Sequence, residues 1–330
     1  MLLAVDVGAT KTRLGLFDPR RMKPEASVEA AFPSDPSSSL DAIVKEFLER
    51  ENQPVTAACF GVAGPVADGK AKITNLPWVL EESALSRTLG ISKVKLLNDL
   101  EATAWAVPCL DAQDFDLLHE GYPVQGGNMA VIAPGTGLGE AYLAWDGRRH
   151  HAYASEGGHT DFAPQSVREE EMLRDFRERF GHVSYERICS GQAIPDVYGF
   201  LKDRGYAEEP PWLTARLKDA ADPTPVIIHA ALAEEKDSEL CAMTLDLFVA
   251  VLGAEAGNLA LKIMATGGVY LAGGVVFHIR QALKKGRFME AFLHKGRMSE
   301  LMGRMPVHII INPRVALIGA ACRGLQFYRE

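Results

Sequence analysis

The chain has 330 residues, of which 47% are hydrophobic, so it can bury a substantial core, and its length favours two domains over one. It carries 43 acidic and 35 basic residues, a formal net charge of −8. Because it is mildly acidic and has no Lys/Arg cluster, the sequence argues against a nucleic-acid partner.

The cysteines and the N-terminus both indicate a cytoplasmic protein. The five cysteines are scattered, odd in number and never in CxxC spacing, which argues against a disulfide framework and a cysteine-rich zinc site. The apolar start MLLAV is broken by Asp6 and follows no basic region, so it does not resemble a signal peptide. No uncharged run approaches the roughly 18 apolar residues that span a bilayer, so no membrane partner is expected.

The first predicted elements are two strands, LLAVDV and RLGLFD, joined by a glycine turn, GATKT. A P-loop needs glycine before the lysine and a helix after the turn, whereas Thr10 precedes Lys11 and a strand follows. Backbone N–H groups at such a turn can hold phosphate oxygens, and Asp6 beside it can hold Mg²⁺ through water. An ordinary hairpin with a surface lysine explains the segment equally well.

The spacing in SLDAIVKEFLER predicts a helix, and VTAACFGVAGPV and VKLLND predict buried strands. Asn98 and Asp99 follow the second of these strands and begin a helix that stops before Pro108. Either residue can cap that helix. An amide and a carboxylate at the carboxyl end of a strand also lie where α/β proteins bind ligands, and the carboxylate can accept a hydroxyl proton.

The segment NMAVIAPGTGLGEAYLAWDG resembles the first hairpin, with an apolar strand on each side of a glycine turn. Its glycines at 135, 137 and 139 do not fit GxGxxG, so a Rossmann dinucleotide loop is not supported. We interpret the similarity as a weak internal repeat of two α/β halves.

The segment SEGGHTDFAP places Glu156, His159 and Asp161 around a glycine pair. Glycines there suggest close approach of the backbone to a ligand, and Glu and His can bind sugar hydroxyls, so we favour a polyol site. The alternative is a surface loop. A zinc site is not supported, because no cysteine is nearby and the segment has no HExxH spacing. Glu186, in SYERICSG, has a similar setting, with a solvated charge at a helix end as its alternative.

Beyond this point the chain is predicted to be mainly helical. VREEEMLRDFRERFG and ELCAMTLDLFVAVLGAEAGNLALKIM indicate helices, GGVYLAGGVV a strand ending in a double glycine, and the C-terminus a strand and a final helix. Pro108 and the stretch near Met305–Pro306 are the expected crossings between two lobes, with the last helix returning to the first lobe.

Together, the segments DVGATKT, GVAGPV, TNLPW, LLNDLEATAWAVP, APGTGLG, EGGHTDFAP, ERICSG and GGVYLAGGVV resemble the bacterial ATP-dependent glucokinases, in order and spacing and nearly end to end. The resemblance implies an α/β fold of the two-lobed actin-like ATPase (ribonuclease H-like) kind, each lobe a mixed sheet flanked by helices. It implies a small domain of residues 1–108 plus 309–330, a large domain of residues 109–308, and an active site in the cleft between them. It also implies phosphorylation of D-glucose at the 6-hydroxyl with Mg-ATP, the first step of glycolysis, and a cytoplasmic homodimer.

The resemblance also implies roles for single residues. Asp99 resembles the general base for the 6-hydroxyl, and Asp6 would hold Mg²⁺ through water. The remaining ligands of the sugar are Asn98, Glu156, His159 and Glu186. The implied ATP contacts are Asp6, Gly8, Ala9, Thr10, Lys11, Thr12, Gly135, Thr136, Gly137, Gly273 and Gly274.

The chain departs from its relatives at Ala9 and Lys11, where many have glycine and asparagine, and at Pro134, where a small residue is usual. The cysteine-containing zinc signature of a related repressor and sugar-kinase group is absent, so zinc is not expected. That absence also argues against a DNA-binding regulator.

Three alternatives remain at this point. A kinase for mannose, fructose or an amino sugar would use the same turns, and a substrate panel separates it from a glucose kinase. A non-catalytic sugar sensor would not need Asp99 and Asp6 together, and it would bind glucose without releasing ADP. An actin-like ATPase acting on protein partners gives no role to EGGHTDFAP.

Overall fold

The computed structural model describes residues 1–8, 10–21, 23–74, 76–233 and 238–329, so the predicted phosphate-turn residue Ala9 lies outside the described residues. The chain divides into two units. The first comprises Met1–Asp114, Ala141–Ala154 and Asn312–Glu330, and the second comprises Phe115–Glu140 and Ser155–Ile311. The sequence-based domains instead include residues 141–154 in the second domain.

The first part of the chain alternates strands and helices. In chain order the elements are β1 (Leu2–Val7), β2 (Lys11–Phe17), β3 (Ala26–Pro33), α1 (Leu40–Glu51), β4 (Ala57–Val62), β5 (Val66–Ala67), β6 (Lys70–Lys72), β7 (Val79–Glu81), α2 (Glu82–Leu89), β8 (Lys93–Asn98) and α3 (Asp99–Ala106).

The first unit contains a five-stranded mixed sheet of order β3-β2-β1-β4-β8. Strands β1, β2 and β3 are antiparallel neighbours, whereas β1, β4 and β8 run parallel. The predicted hairpin of LLAVDV and RLGLFD is confirmed as β1 and β2. The helix predicted over SLDAIVKEFLER is confirmed as α1. It buries apolar residues at helical spacing, namely Leu40, Ile43, Val44 and Phe47.

The rest of the chain is richer in helices. The elements are β9 (Phe115–His119), β10 (Met129–Pro134), β11 (Leu138–Trp145), β12 (His150–Ser155), α4 (Val167–Phe180), α5 (Ile194–Asp203), α6 (Pro211–Asp219), α7 (Pro223–Leu232), α8 (Glu239–Ile263), β13 (Gly268–Leu271), α9 (Gly274–Leu283), α10 (Arg287–Leu293), α11 (Ser299–Met302), β14 (Val307–Ile310) and α12 (Val315–Arg329). Short 3₁₀ turns cover Gly157–His159 and Tyr185–Arg187.

A second, six-stranded sheet has the order β12-β11-β10-β13-β14-β9 and is also mixed. Strands β10, β13 and β14 are parallel, while β9 is antiparallel to β14 at an edge. Helix α8 is the central helix of the second unit's core. By length and composition it could cross a membrane, but most of it is buried inside the protein, as is usual for a core helix.

The C-terminal helix α12 packs against α3 and β1 in the first unit. The two helices approach closely because Gly319 has no side chain, since a Cβ there would overlap the carbonyl oxygen of Ala102. The helix that begins at Asp99 is therefore held by the end of the chain.

One cysteine pair departs from the sequence-based prediction, which argues against disulfides. Cys109 and Cys322 form a disulfide across 213 residues of sequence, because α12 packs beside α3 and the turn that follows it. Cys59, Cys189 and Cys241 are free and buried. Spacing in the sequence cannot identify such a pair, since it is the packing of two helices that brings the sulfur atoms together.

Candidate active site

The turn between β1 and β2 is closed by a hydrogen bond from the Gly8 N–H to the Lys11 carbonyl, 3.1 Å. Asp6 lies opposite Arg13 in the hairpin register, and the Arg13 guanidinium is 3.5 Å from the Asp6 carboxylate. Burial raises the pKa of Asp6, and the charge of Arg13 opposes that rise. The hairpin thus holds a carboxylate directly beside the turn.

Ser34 fixes this turn and was not found by sequence reasoning. Its hydroxyl donates to the Gly8 carbonyl at 2.7 Å and lies 2.9 Å from the Thr12 hydroxyl, and its N–H donates to the Thr10 carbonyl at 3.0 Å. Thr12 and Ser34 are both buried, while Thr10 and Lys11 are exposed. In the sequence, Ser34 stands in the segment FPSDPSSS, which shows only a loop.

Asn98 ends β8 and caps α3. Its side-chain oxygen accepts from the N–H groups of Leu100 and Glu101 at 2.9 and 3.2 Å, and its amide nitrogen donates to the Gly64 carbonyl at 3.1 Å. The N-cap interpretation is therefore confirmed for Asn98. The cap leaves Asp99 as the first residue of the helix.

Asp99 has the electrostatics of a general base near neutral pH. Burial raises its pKa to about 6, the Leu100 N–H opposes the rise, and the nearby charge of Asp6 adds to it. The Leu100 N–H lies 2.9 Å from its carboxylate. A carboxylate with this pKa is largely ionised at pH 7 and holds a proton more strongly than an ordinary aspartate does.

The predicted sugar residues Glu156, His159 and Glu186 form one cluster in the second unit. The His159 Nδ1 lies 3.7 Å from the Glu186 carboxylate, and its Nε2 lies 3.9 Å from that of Glu156. Glu156 and His159 are 70% and 60% exposed, whereas Glu186 is 32% exposed. Asp161 lies apart from them and pairs with His182 at 2.9 Å.

Glu186 connects this cluster to the second glycine turn. Its carboxylate accepts a hydrogen bond from the Leu138 N–H at 2.9 Å, and a Cβ on Gly137 would overlap it. The turn itself is closed by a bond from the Gly135 N–H to the Gly137 carbonyl, 2.8 Å. The residues predicted to bind phosphate and sugar are therefore neighbours in this unit.

A cavity of about 1050 Å³ lies beside the same turn in the second unit. The predicted residues Gly135, Thr136 and Gly274 line it. Next to it, Gly273 has a φ of 93°, and a Cβ there would lie 2.6 Å from the Pro134 carbonyl oxygen. That position therefore requires glycine.

Other residues of this cavity lack a signal in the sequence. Hydrogen bonds run from the Gly191 N–H to the Gly135 carbonyl, 2.7 Å, and from the Thr224 hydroxyl to the Gly191 carbonyl, 2.8 Å. Helices α7 and α9 begin at this cavity, where Gln192, His229 and His278 also contribute to its wall. Only the helix start at Asp-Pro in DPTPV indicates α7 in the sequence.

Comparisons with known proteins show what the whole chain is similar to. A family model described as Glucokinase matches residues 3–326. The glucokinase of Nostoc punctiforme is 38% identical over 335 residues, covering 97% of this chain and 98% of that protein. The solved glucokinase of an Antarctic psychrotroph has a TM-score of 0.84 at 30% identity, with 98% of each chain covered.

A glucokinase from Balamuthia mandrillaris, solved in complex with glucose, has a TM-score of 0.79 and covers 100% of this chain and 93% of that one. At 21% identity this likeness shows the fold alone. The fold is that of the actin-like ATPase superfamily, with mixed sheets flanked by helices, as the sequence resemblance implies.

Proposed function

The chain belongs to the glucokinase family and phosphorylates glucose with ATP, and we propose that Asp99 is the general base that activates the 6-hydroxyl. The observation that carries this proposal is the position of Asp99, which directly follows the carboxyl end of β8 and begins α3, where burial raises its pKa to about 6. Such a carboxylate is ionised at pH 7 and basic enough to accept a hydroxyl proton as the oxygen attacks.

The proposed step is an in-line phosphoryl transfer. The proton of the 6-hydroxyl moves to an Asp99 oxygen while the sugar oxygen bonds to the γ-phosphorus. The bond from that phosphorus to the bridging oxygen breaks, so the products are glucose 6-phosphate and ADP. The protein mainly positions the reactants and stabilises charge, because the transfer needs little covalent chemistry from side chains.

We assign the other sugar hydroxyls to Asn98, Glu156, His159 and Glu186. The last three are supported by their convergence, because the carboxylates of Glu156 and Glu186 lie 3.9 and 3.7 Å from the two ring nitrogens of His159. A hydroxyl-specific site of this kind discriminates strongly, because an analogue that lacks a hydroxyl leaves a polar partner unpaired.

We assign the phosphates to the backbone of two turns, at Gly8–Thr12 and at Gly135–Gly137, and the rest of the nucleotide to the 1050 Å³ cavity. Backbone N–H groups at short turns of this kind suit phosphate oxygens. Gly273 and Gly274 begin α9 at the cavity wall, where the helix N-terminus favours a negative ligand.

Asp6 fits a role toward Mg²⁺. Among the described residues there is no group of three or more His, Cys, Asp or Glu side chains that would hold a metal alone. Mg²⁺ in kinases is instead held by one or two carboxylates together with substrate phosphates, and Asp6 supplies such a carboxylate beside the phosphate turn. When bound there, Mg²⁺ would neutralise charge on the phosphate oxygens.

The test is Mg·ATP-dependent phosphorylation of a panel of hexoses, with the product position identified by NMR. We expect glucose to be the best acceptor, phosphate to appear on the 6-oxygen, and 6-deoxyglucose to inhibit without being phosphorylated. A kcat/KM for mannose, fructose or glucosamine above that for glucose would reject the assignment of the sugar site. Comparable kcat/KM for glucose and 2-deoxyglucose would remove the 2-hydroxyl contact.

Two further expectations concern the whole protein. We propose a cytoplasmic homodimer, which the family resemblance supports; the cysteines no longer support that compartment, because Cys109 and Cys322 are paired. Sedimentation velocity at micromolar concentration tests the oligomer, and a monomer under those conditions would reject it.

A further inference from the structure

Two glutamates with no predicted site role lie buried in the second unit. Glu140, on β11, is 2% exposed and Glu255, in the middle of α8, is fully buried. Their carboxyl groups lie within hydrogen-bonding reach of each other. In the part of the chain that the structure describes, one oxygen of each has no hydrogen-bond donor. A proton held between the two groups would supply the missing donor.

Glu140 contacts the turn that carries two of the proposed sugar ligands. A Cβ on Gly157 would overlap the Glu140 carboxylate oxygen, so the backbone of Gly157 lies directly against that carboxyl. Gly157 stands between Glu156 and His159, and the His159 N–H closes the turn on the Glu156 carbonyl at 3.0 Å. The Glu140 carboxyl thus supports this turn from the buried side.

Glu255 reaches the other sugar-binding turn through two side chains. The Asn258 amide lies 2.9 Å from the Glu255 carboxylate and 2.8 Å from the Tyr185 hydroxyl. Tyr185 directly precedes Glu186 and is itself buried. One buried carboxyl pair therefore contacts one turn of the proposed glucose site directly, through Glu140, and is connected to the other through Asn258 and Tyr185.

The charged and titratable groups around the pair do not replace the proton. The Lys262 ammonium lies 3.8 Å from the Glu255 carboxylate, beyond hydrogen-bonding distance, and its side chain is 56% exposed. Lys295 donates to Asn258 and to the Ala254 carbonyl, at 2.8 and 2.9 Å, and burial lowers its pKa. Burial raises the pKa values of the Tyr185 hydroxyl and the Cys189 thiol, so both stay neutral.

We propose that Glu140 and Glu255 are positioning residues that share one proton and so hold the two sugar-binding turns in their glucose-binding arrangement. The proposal rests on the assignment of Glu156, His159 and Glu186 to glucose. When the shared proton is lost, two buried carboxylates repel each other, and the turns packed on them move away from the arrangement that binds glucose.

The direction in which glucose affinity depends on pH follows from the raised affinity of the Glu140–Glu255 pair for a proton. Burial and the charge of Glu255 raise the pKa of Glu140 to about 8, and burial also raises that of Glu255. The proton on the pair therefore stabilises the arrangement of the two turns fully below 4.5, the ordinary pKa of a glutamate. This stabilisation is lost as pH rises through about 8. If only the protonated pair binds glucose, affinity falls about tenfold by one pH unit above that value.

The experiment measures the glucose Kd by isothermal titration calorimetry without nucleotide, from pH 6.5 to 9. For the wild type and for the exposed control E178Q on α4, we expect the Kd to rise about tenfold between pH 7 and 9. In E140Q the amide keeps the size of the carboxyl and donates permanently toward Glu255, so the rise should disappear. A Kd for E140Q that rises as in the wild type would overturn the proposal.

E255Q tests the same pair from the other side if E140Q fails to fold, and the same loss of the alkaline rise is expected. The wild type alone gives a second readout, because glucose binding at pH 8.5 should take up protons, measured in two buffers of different ionisation enthalpy. Zero uptake with a pH-independent Kd would reject the shared proton while leaving the glucose site intact. Absence of glucose binding at every pH would instead reject the proposed function.

Discussion

Replacing Asp99 with asparagine should remove most of the turnover while leaving the fold as stable as before, or more stable. Asparagine keeps an oxygen that can accept the Leu100 N–H now bonded at 2.9 Å. It cannot accept a proton from the sugar hydroxyl. We expect kcat to fall by about 10²- to 10⁴-fold, the usual contribution of a positioned general base, and the glucose Kd to change only a few-fold.

The effect on stability follows from the pKa of Asp99. Folding raises it from an ordinary 3.8 to about 6, and at about 1.4 kcal/mol per pKa unit the folded state disfavours the ionised form by about 3 kcal/mol. The protonated carboxyl therefore contributes its full stabilisation of the folded protein below pH 3.8, and that contribution is lost as pH rises through 6. Above pH 6 the folded wild type holds an unfavourable ionised carboxylate and D99N does not. The free energy of unfolding of D99N should therefore exceed that of the wild type by at most about 3 kcal/mol.

Three assays separate the two effects. Coupled ADP release gives kcat, calorimetry gives the glucose Kd, and thermal melting at pH 5 and pH 8 gives stability. The melting temperature of D99N should exceed that of the wild type by more at pH 8 than at pH 5, whereas E49Q, an exposed carboxylate on α1, should show no such difference. The wild-type kcat/KM should also fall below about pH 6, where the base becomes protonated.

Two results would refute this reasoning. Near-native turnover in D99N would show that Asp99 is not the base. A clear loss of stability in D99N at pH 8 would show that the ionised carboxylate is favourable in the folded protein, so the raised pKa would have no support.

The remaining predictions concern the cap, the cavity and the metal. Asn98→Ala should lower the free energy of unfolding by about 1 kcal/mol, because the Glu101 N–H loses its acceptor and the Leu100 N–H keeps only the Asp99 carboxylate. Chemical denaturation measures this, and an unchanged midpoint would contradict the cap. Gly273→Ala should raise the KM for ATP by a larger factor than the KM for glucose, because its Cβ would lie 2.6 Å from the Pro134 carbonyl oxygen. The control Gly199→Ala places its Cβ in open space and should change neither KM. Asp6→Asn should raise the Mg²⁺ concentration needed for half-maximal rate at fixed ATP, and an unchanged Mg²⁺ titration would remove Asp6 from the metal site.

The parts of the fold and site that could be predicted from the sequence are those set by local chemistry. The β1–β2 hairpin follows from two apolar runs and a glycine turn, and the cap at Asn98 follows from an amide side chain at the junction of a strand and a helix. Helix α1 follows from its apolar spacing. Each of these depends on residues within a few positions of one another.

The parts that could not be predicted depend on contacts between distant segments. Glu140 stands in an ordinary strand and Glu255 in a long apolar helix, so neither has a motif, and only tertiary packing makes them a pair. The Cys109–Cys322 disulfide has the same cause. Ser34 belongs to a loop in the sequence, yet it fixes the first turn because β3 pairs with β2 and brings it beside Gly8.

The glycines of the second unit show how a glycine that suggests a binding site in the sequence can have an additional, structural cause. In the sequence, Gly137 suggests a phosphate turn and Gly157 suggests close approach to a ligand. In the structure, each also makes room for a glutamate, since a Cβ on Gly137 would overlap the carboxylate of Glu186 and one on Gly157 that of Glu140. Because the Leu138 N–H beside Gly137 also binds the Glu186 carboxylate, we expect a change in the backbone of this glycine turn to move Glu186, a proposed sugar ligand. The two glycines therefore couple the glycine turn, the sugar cluster and the buried carboxyl pair through direct contacts within one unit.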